Sequence, residues 1–327
     1  MRRKLIASAF ALFVALVVLV ACDNAQLEAE ELVVRNFVDE RYELVALVFR
    51  LAGRPEFDTR GRNYHTRLAN TFSDFADHPV VVHTATFNFG YDAVLNMAVN
   101  LRINDDGITL EEGFHNVNHY GRWNRRNSEI FVDLLNDFYI ETNFAQFFAD
   151  NEDYFMSRSR FFVQNVYSHI NLEWFEQFDL HRDNLRIIIS PAITGGYAAY
   201  FFDNEMQSYI VYAAVQATSN FTHSWYHDLV IHEFSHTMGN PLAAQWMRES
   251  GNPLISWSFH TLRSGQMIPG HAVHFVVAYE YVTRAFEILY FVDNTERSLD
   301  GLFTQHRAQG FGHIAEVFNK VMYHIGR

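Results

Sequence analysis

Residues 229–238 read Leu-Val-Ile-His-Glu-Phe-Ser-His-Thr-Met, and this stretch constrains the fold more than any other in the chain. Leu229, Val230, Ile231, Phe234 and Met238 mark a largely buried helix. Two imidazoles and a carboxylate are costly in such a place unless something pairs them. On a helix His232 and His236 lie one turn apart on the same face, so both rings can reach one ion. Glu233 is rotated about 100° from His232 and falls beside that ion rather than on it. The alternative is a histidine-rich core helix satisfied by ordinary hydrogen bonds.

The cysteine count narrows the chemistry. The single cysteine is Cys22, so any metal deeper in the chain must be held by His, Asp or Glu. Zinc accepts histidine nitrogens at about 2.0–2.1 Å and in catalytic sites keeps one position for water. A carboxylate placed like Glu233 can take that water's proton. One zinc ion per chain is expected, with His232 and His236 as ligands and Glu233 as general base.

The segment His232-Glu233-Phe234-Ser235-His236 resembles the zincin metallopeptidases, and Gly239 matches the glycine of the metzincin pattern. That pattern needs a third His or Asp where this chain has Leu242. The resemblance therefore implies the gluzincin arrangement, in which a downstream helix supplies a glutamate. Glu280 is the candidate: it stands in Phe275–Val282, otherwise apolar, where a carboxylate must have a cationic partner. Zinc would serve, and so would Arg284 one turn on. Glu249, beside Arg248, Ser250, Gly251 and Pro253, reads as an exposed helix end. His271 and His274 could ligate as an i,i+3 pair but share no helix face with Glu280. They are read as cleft residues that polarise a substrate carbonyl, with Tyr197 as a further cleft candidate. His223 and His227, at i,i+4, could form a second site but read as exposed or capping, and His306, His313 and His324 as scattered surface or packing residues.

A wider likeness accompanies the motif. Phe49 to Phe57, the His78-Pro79 step, Ile187 to Pro191, the metal helix and Glu280 to Ala285 resemble a bacterial family of exported lipoproteins described as a domain of unknown function with peptidase character. It names no substrate. Gluzincins carry an acid one turn after the third ligand, where this chain has Arg284.

The N-terminus is read as an address. Arg2, Arg3 and Lys4 precede an apolar run from Leu5 to Val20, which is short for a membrane span of about 20 residues and suits a signal peptide. Leu19-Val20-Ala21-Cys22 resembles the bacterial lipobox, implying a signal peptide over 1–21, lipidation of Cys22 and a tether over 22–31. An uncleaved anchor and an ordinary cleaved signal are the alternatives. The expected location is the bacterial cell envelope, periplasmic side or cell surface, with the membrane contacted through the lipid. A formal net charge of −13 argues against nucleic acid, which needs a basic footprint.

Periodicity places helices over 32–51, 64–75, 91–101, 130–148 and 158–174, strands at 185–190, 197–202 and 208–215, and helices from 221 onward with breaks near 239–241, 251–253 and 269–270. The expected architecture is α+β and zincin-like: a mostly helical N-terminal region, 32–183, and a catalytic region, 184–327, with a small antiparallel or mixed sheet beside the metal-binding helix, the two forming one compact unit. The expected activity is peptide or protein hydrolysis. Two alternatives stay open: a lipoprotein binding module with a non-catalytic metal, and a zinc hydrolase of a non-peptide amide.

Overall fold

The structure is a computed structural model that describes residues 37–54, 57, 63–86, 92–104, 107–111, 122–193, 195–203, 208–217, 223–248 and 274–327. The signal segment, the tether, Cys22, Glu249 and His271 lie outside the described residues, and His274 is described in its backbone only.

The described residues are mostly helical with two small sheets, an α+β arrangement. Its central helix is α1 (Glu40–Leu51). Asp39 caps it by accepting from the amides of Arg41 and Tyr42, and Gly53, at φ +76°, turns the chain out of it. Leu44, Val45, Leu47, Val48 and Phe49 are wholly buried, each contributing about 1.5–3 kcal/mol. Of the helix expected over 32–51, residues 32–36 lie outside the described residues, and Phe37 and Val38 form a turn and bend ahead of the cap, the Phe37 carbonyl accepting from the Ile189 amide at 2.6 Å.

Around α1 stand α2 (Asn63–Phe72), α3 (Pro79–Ala85) and α4 (Ala93–Ala98). Pro79 opens α3 and the His78 ring caps it, accepting from the Val80 amide at 3.2 Å. A hairpin follows, β1 (Leu101–Asn104) paired antiparallel with β2 (Gly107–Leu110). The expected 130–148 helix is two: α5 (Arg125–Glu141), opened by an Asn124/Asn127 capping box, and α6 (Phe144–Asp150). Asn143, at φ 49°, separates them. Then come α7 (Glu152–Asn165) and short 3-10 turns to residue 184.

The second sheet is mixed. β3 (Leu185–Ser190) runs parallel to β5 (Ser208–Gln216), and β4 (Gly196–Asp203) pairs antiparallel with β5, giving the order β3-β5-β4. Gly196 of β4 packs against Leu229 of the next helix so closely that a Cβ there would meet its side chain at 2.8 Å.

That helix, α8 (His223–Arg248), runs straight through the expected break at 239–241. Gly239 lets a second helix approach, and Pro241 removes one backbone donor without ending the helix. The partner helix is α9 (His274–Asn294), followed by α10 (Leu299–Ala308) and α11 (Ile314–His324). No helix of the described residues is long and apolar enough to cross a membrane.

Candidate metal centre

The α8–α9 contact builds the site. A Cβ on Gly239 would lie 2.6 Å from Thr283 Cα and 2.7 Å from its backbone nitrogen, so only glycine lets the helices come this close. Val277, Ala278, Tyr281, Val282 and Ala285 anchor α9 in the core, and this packing holds the carboxylate of Glu280, 6% exposed, against the histidine face of α8.

Glu280 Oε2 lies 3.5 Å from His232 Nε2, and Glu280 Oε1 lies 3.5 Å from His236 Nε2. Zinc holding its ligands tetrahedrally at about 2.1 Å separates them by about 3.4 Å. Each histidine nitrogen therefore stands from one of the two Glu280 oxygens at about the ligand-to-ligand spacing of a zinc site. Among the described residues they are the one group of three or more His, Cys, Asp or Glu side chains that could hold an ion, with all ligand atoms within 4.8 Å of one another.

The far side of each ring is fixed as well. His232 Nδ1 donates to Glu287 Oε2 at 2.9 Å. His236 Nδ1 lies 3.1 Å from Asn240 Oδ1 and 3.0 Å from Thr283 Oγ1, and because an amide oxygen only accepts, Nδ1 is the donor. Both rings thus direct Nε2 toward Glu280, as metal-ligating histidines with an outer hydrogen bond do. Glu287 and Thr283 were not singled out from sequence. The signal for Glu287 was there: it follows Glu280 by seven positions on one face of an apolar helix.

Arg284 pairs with Glu280 too. Its Nη2 lies 3.1 Å from Glu280 Oε2 and its Nη1 3.7 Å from Glu287 Oε2. Glu280 thus faces both histidines and pairs with Arg284 at once.

Electrostatics follow from burial. It raises the Glu233 carboxyl to about 7, with His232 pulling it down and Glu280 pushing it up. Burial lowers His236 to about 4. Burial and Arg284 push His232 down, but Glu280 and Glu287 outweigh them and hold it above the ordinary range. Burial would raise Glu287; His306, His232 and Arg284 outweigh it and keep that carboxyl low.

Tyr197 is half-buried on β4. It joins Glu43 and Glu233 among the groups that, after burial, raise the phenol of Tyr42 far above its ordinary value. The Tyr42 hydroxyl is buried with no hydrogen-bond partner among the described residues.

No family model, curated protein or solved structure matches the chain.

Two histidines differ from their sequence reading. His306 is buried, 1% exposed, with Nε2 3.8 Å from Glu287 Oε1. His227 is buried against the rings of Tyr290 and Phe291. His227 was expected to be exposed or capping and His306 to be a surface or packing residue; apolar faces that pack α8, α9 and α10 together enclose both, so His306 falls on the packing side of its reading. An open groove of about 700 Å³ lined by Thr237, Met238, Pro241 and Gln245 lies on the side of α8 turned away from His232 and His236, so it is not where the metal chemistry would occur.

Proposed function

We propose that this chain is an extracytoplasmic, lipid-anchored zinc metallohydrolase of zincin type that cleaves peptides. The observation that supports this best is the convergence of His232 Nε2 and His236 Nε2 on the Glu280 carboxylate, each 3.5 Å from one of its oxygens, with both outer nitrogens already bonded. Zinc bound there would polarise a substrate carbonyl and make water more acidic. Glu233, buried on the same helix beside His232, would accept a proton from the attacking water and return it to the departing amine. β4 is an edge strand of the described sheet and packs against α8, so an extended peptide could add to it beside Glu233. In this reading Tyr197, and His271 and His274, line the cleft, Cys22 carries the lipid, and the acidic chain binds no nucleic acid.

One observation favours a second reading. Arg284 supplies Glu280 with a cation without any metal, as expected of a binding module that keeps the fold but not the catalysis. Metal analysis of the purified protein, together with peptide-library cleavage by the wild type and Glu233→Gln, separates the two. The enzyme reading expects one zinc per chain and a loss of about 10²–10⁴ in turnover in Glu233→Gln with zinc retained. A folded wild type that binds no zinc when zinc is supplied overturns it. Zinc present with cleavage of amides other than peptides redirects the substrate class.

A further inference from the structure

Arg284 sits where a metal centre would not ordinarily place a fixed positive charge. Its side chain is 11% exposed and held from three sides: Nη2 by Glu280 Oε2 at 3.1 Å, Nη1 by Gln309 Oε1 at 3.4 Å, and the guanidinium over the Phe311 ring at 4.3 Å. Nη1 also reaches to 3.7 Å from Glu287 Oε2. One guanidinium therefore lies between the carboxylate that faces both histidines and the carboxylate that orients His232.

We propose that Arg284 is a built-in counter-ion that competes with the metal for Glu280 and so weakens metal binding at this centre. The inference rests on reading His232, His236 and Glu280 as a metal site. Without metal, two carboxylates on one buried helix face would repel each other, and Arg284 compensates both. With metal, the same guanidinium opposes a divalent cation across a poorly polarisable interior. It also keeps Glu280 Oε2 engaged, leaving Oε1, 3.5 Å from His236 Nε2, as the oxygen better placed to ligate. Arg284 does help to orient Glu280, but Val277, Ala278, Tyr281 and Val282, all buried, already fix that turn of α9. Removing the charge therefore outweighs the lost orientation. The resulting centre stays folded without its ion and exchanges it.

Arg284 is thus a positioning residue, and metal affinity is the property that tests it. Full-length protein stripped by chelator dialysis is titrated with zinc against a chromophoric chelator, and thermal unfolding is recorded with and without zinc. Arg284→Met keeps much of the stem and removes the charge. It is expected to bind zinc about tenfold tighter or more, to unfold at lower temperature without metal, and to gain more from zinc than the wild type does. Arg284→Lys, which keeps the charge, should stay near wild-type affinity. If Arg284→Met does not fold, Arg284→Gln carries the same expectation. Zinc binding by the wild type with no tightening in either neutral variant overturns the inference and leaves the metal reading intact. A folded wild type that binds no zinc overturns the metal reading itself.

Discussion

Glu287 does for His232 what Asn240 and Thr283 do for His236: it takes the outer ring proton and leaves Nε2 facing Glu280. Outer partners of this kind contribute about 10–100-fold to metal affinity, so Glu287→Ala is expected to weaken zinc binding by that factor while Glu233→Gln leaves it nearly unchanged, both measured by chelator competition. A second buried acid makes a pH prediction away from the candidate centre. Glu43 on α1 is 1% exposed and accepts from the Tyr64 hydroxyl at 2.8 Å and from the Ser190 hydroxyl. Burial raises its carboxyl to about 7, the two hydroxyls pulling the other way. The folded state therefore binds a proton that the unfolded state has released above its ordinary carboxylate pKa. Stability is greatest below that value and falls as pH rises through about 7. Glu43→Gln should lose about 3 kcal/mol less than the wild type between pH 5 and pH 8 in denaturant titrations. Glu233, also raised to about 7, leaves a residual slope of the same sign. Equal pH dependence in wild type and Glu43→Gln would refute the assignment.

At the scale of elements, the glycine and proline of α8 show where sequence reasoning stopped short. Gly239 and Pro241 read as a helix stop because glycine and proline usually punctuate helices. Their place is set by tertiary contact: Gly239 is where α9 touches, through Thr283. The β1–β2 hairpin was missed for a different reason, since each strand has four residues and too little alternation to read. β3, by contrast, was legible to its ends, because Leu185–Ser190 is an apolar, β-branched run closed by Pro191. Its parallel pairing with β5 could not be read from the run itself. The histidines and Glu280 were legible because polar groups stand out in apolar helices, whereas Glu287 and His306 became visible once α9 and α10 were packed. Gly239→Ala tests the contact directly. The added methyl meets backbone, so α8 and α9 must part, at a cost of about 1–3 kcal/mol. It should lower the urea midpoint and weaken zinc binding together. A variant with an unchanged midpoint would mean that the helices are not in this contact.

Across the whole molecule, the N-terminal helices act as the support against which the half carrying the candidate metal site is held. The buried core is continuous from Phe37 to Val321, and polar groups link the halves at several points. His65 Nε2 donates to the Pro191 carbonyl at 2.7 Å, while its Nδ1 accepts from Arg50 at 3.2 Å. Ser190 reaches Glu43, and Ile189 donates to Phe37. Further along, the Tyr290 hydroxyl of α9 accepts from the Asn171 amide at 2.8 Å, and Trp174 donates to Asp293 at 2.9 Å. Phe175 stacks on Tyr290 and meets Phe234 of α8, one residue from Glu233. Cutting the chain before β3 would strand all of these partners and expose the apolar faces of β3 and α9. A fragment of residues 184–327 should therefore lack a cooperative unfolding transition and bind a hydrophobic dye, although it holds His232, Glu233, His236 and Glu280. Supplying residues 32–183 in trans should restore both cooperative unfolding and zinc binding. A fragment that unfolds sharply by itself, with the zinc affinity of the full chain, would show that the N-terminal helices are an appendage rather than the support of the centre.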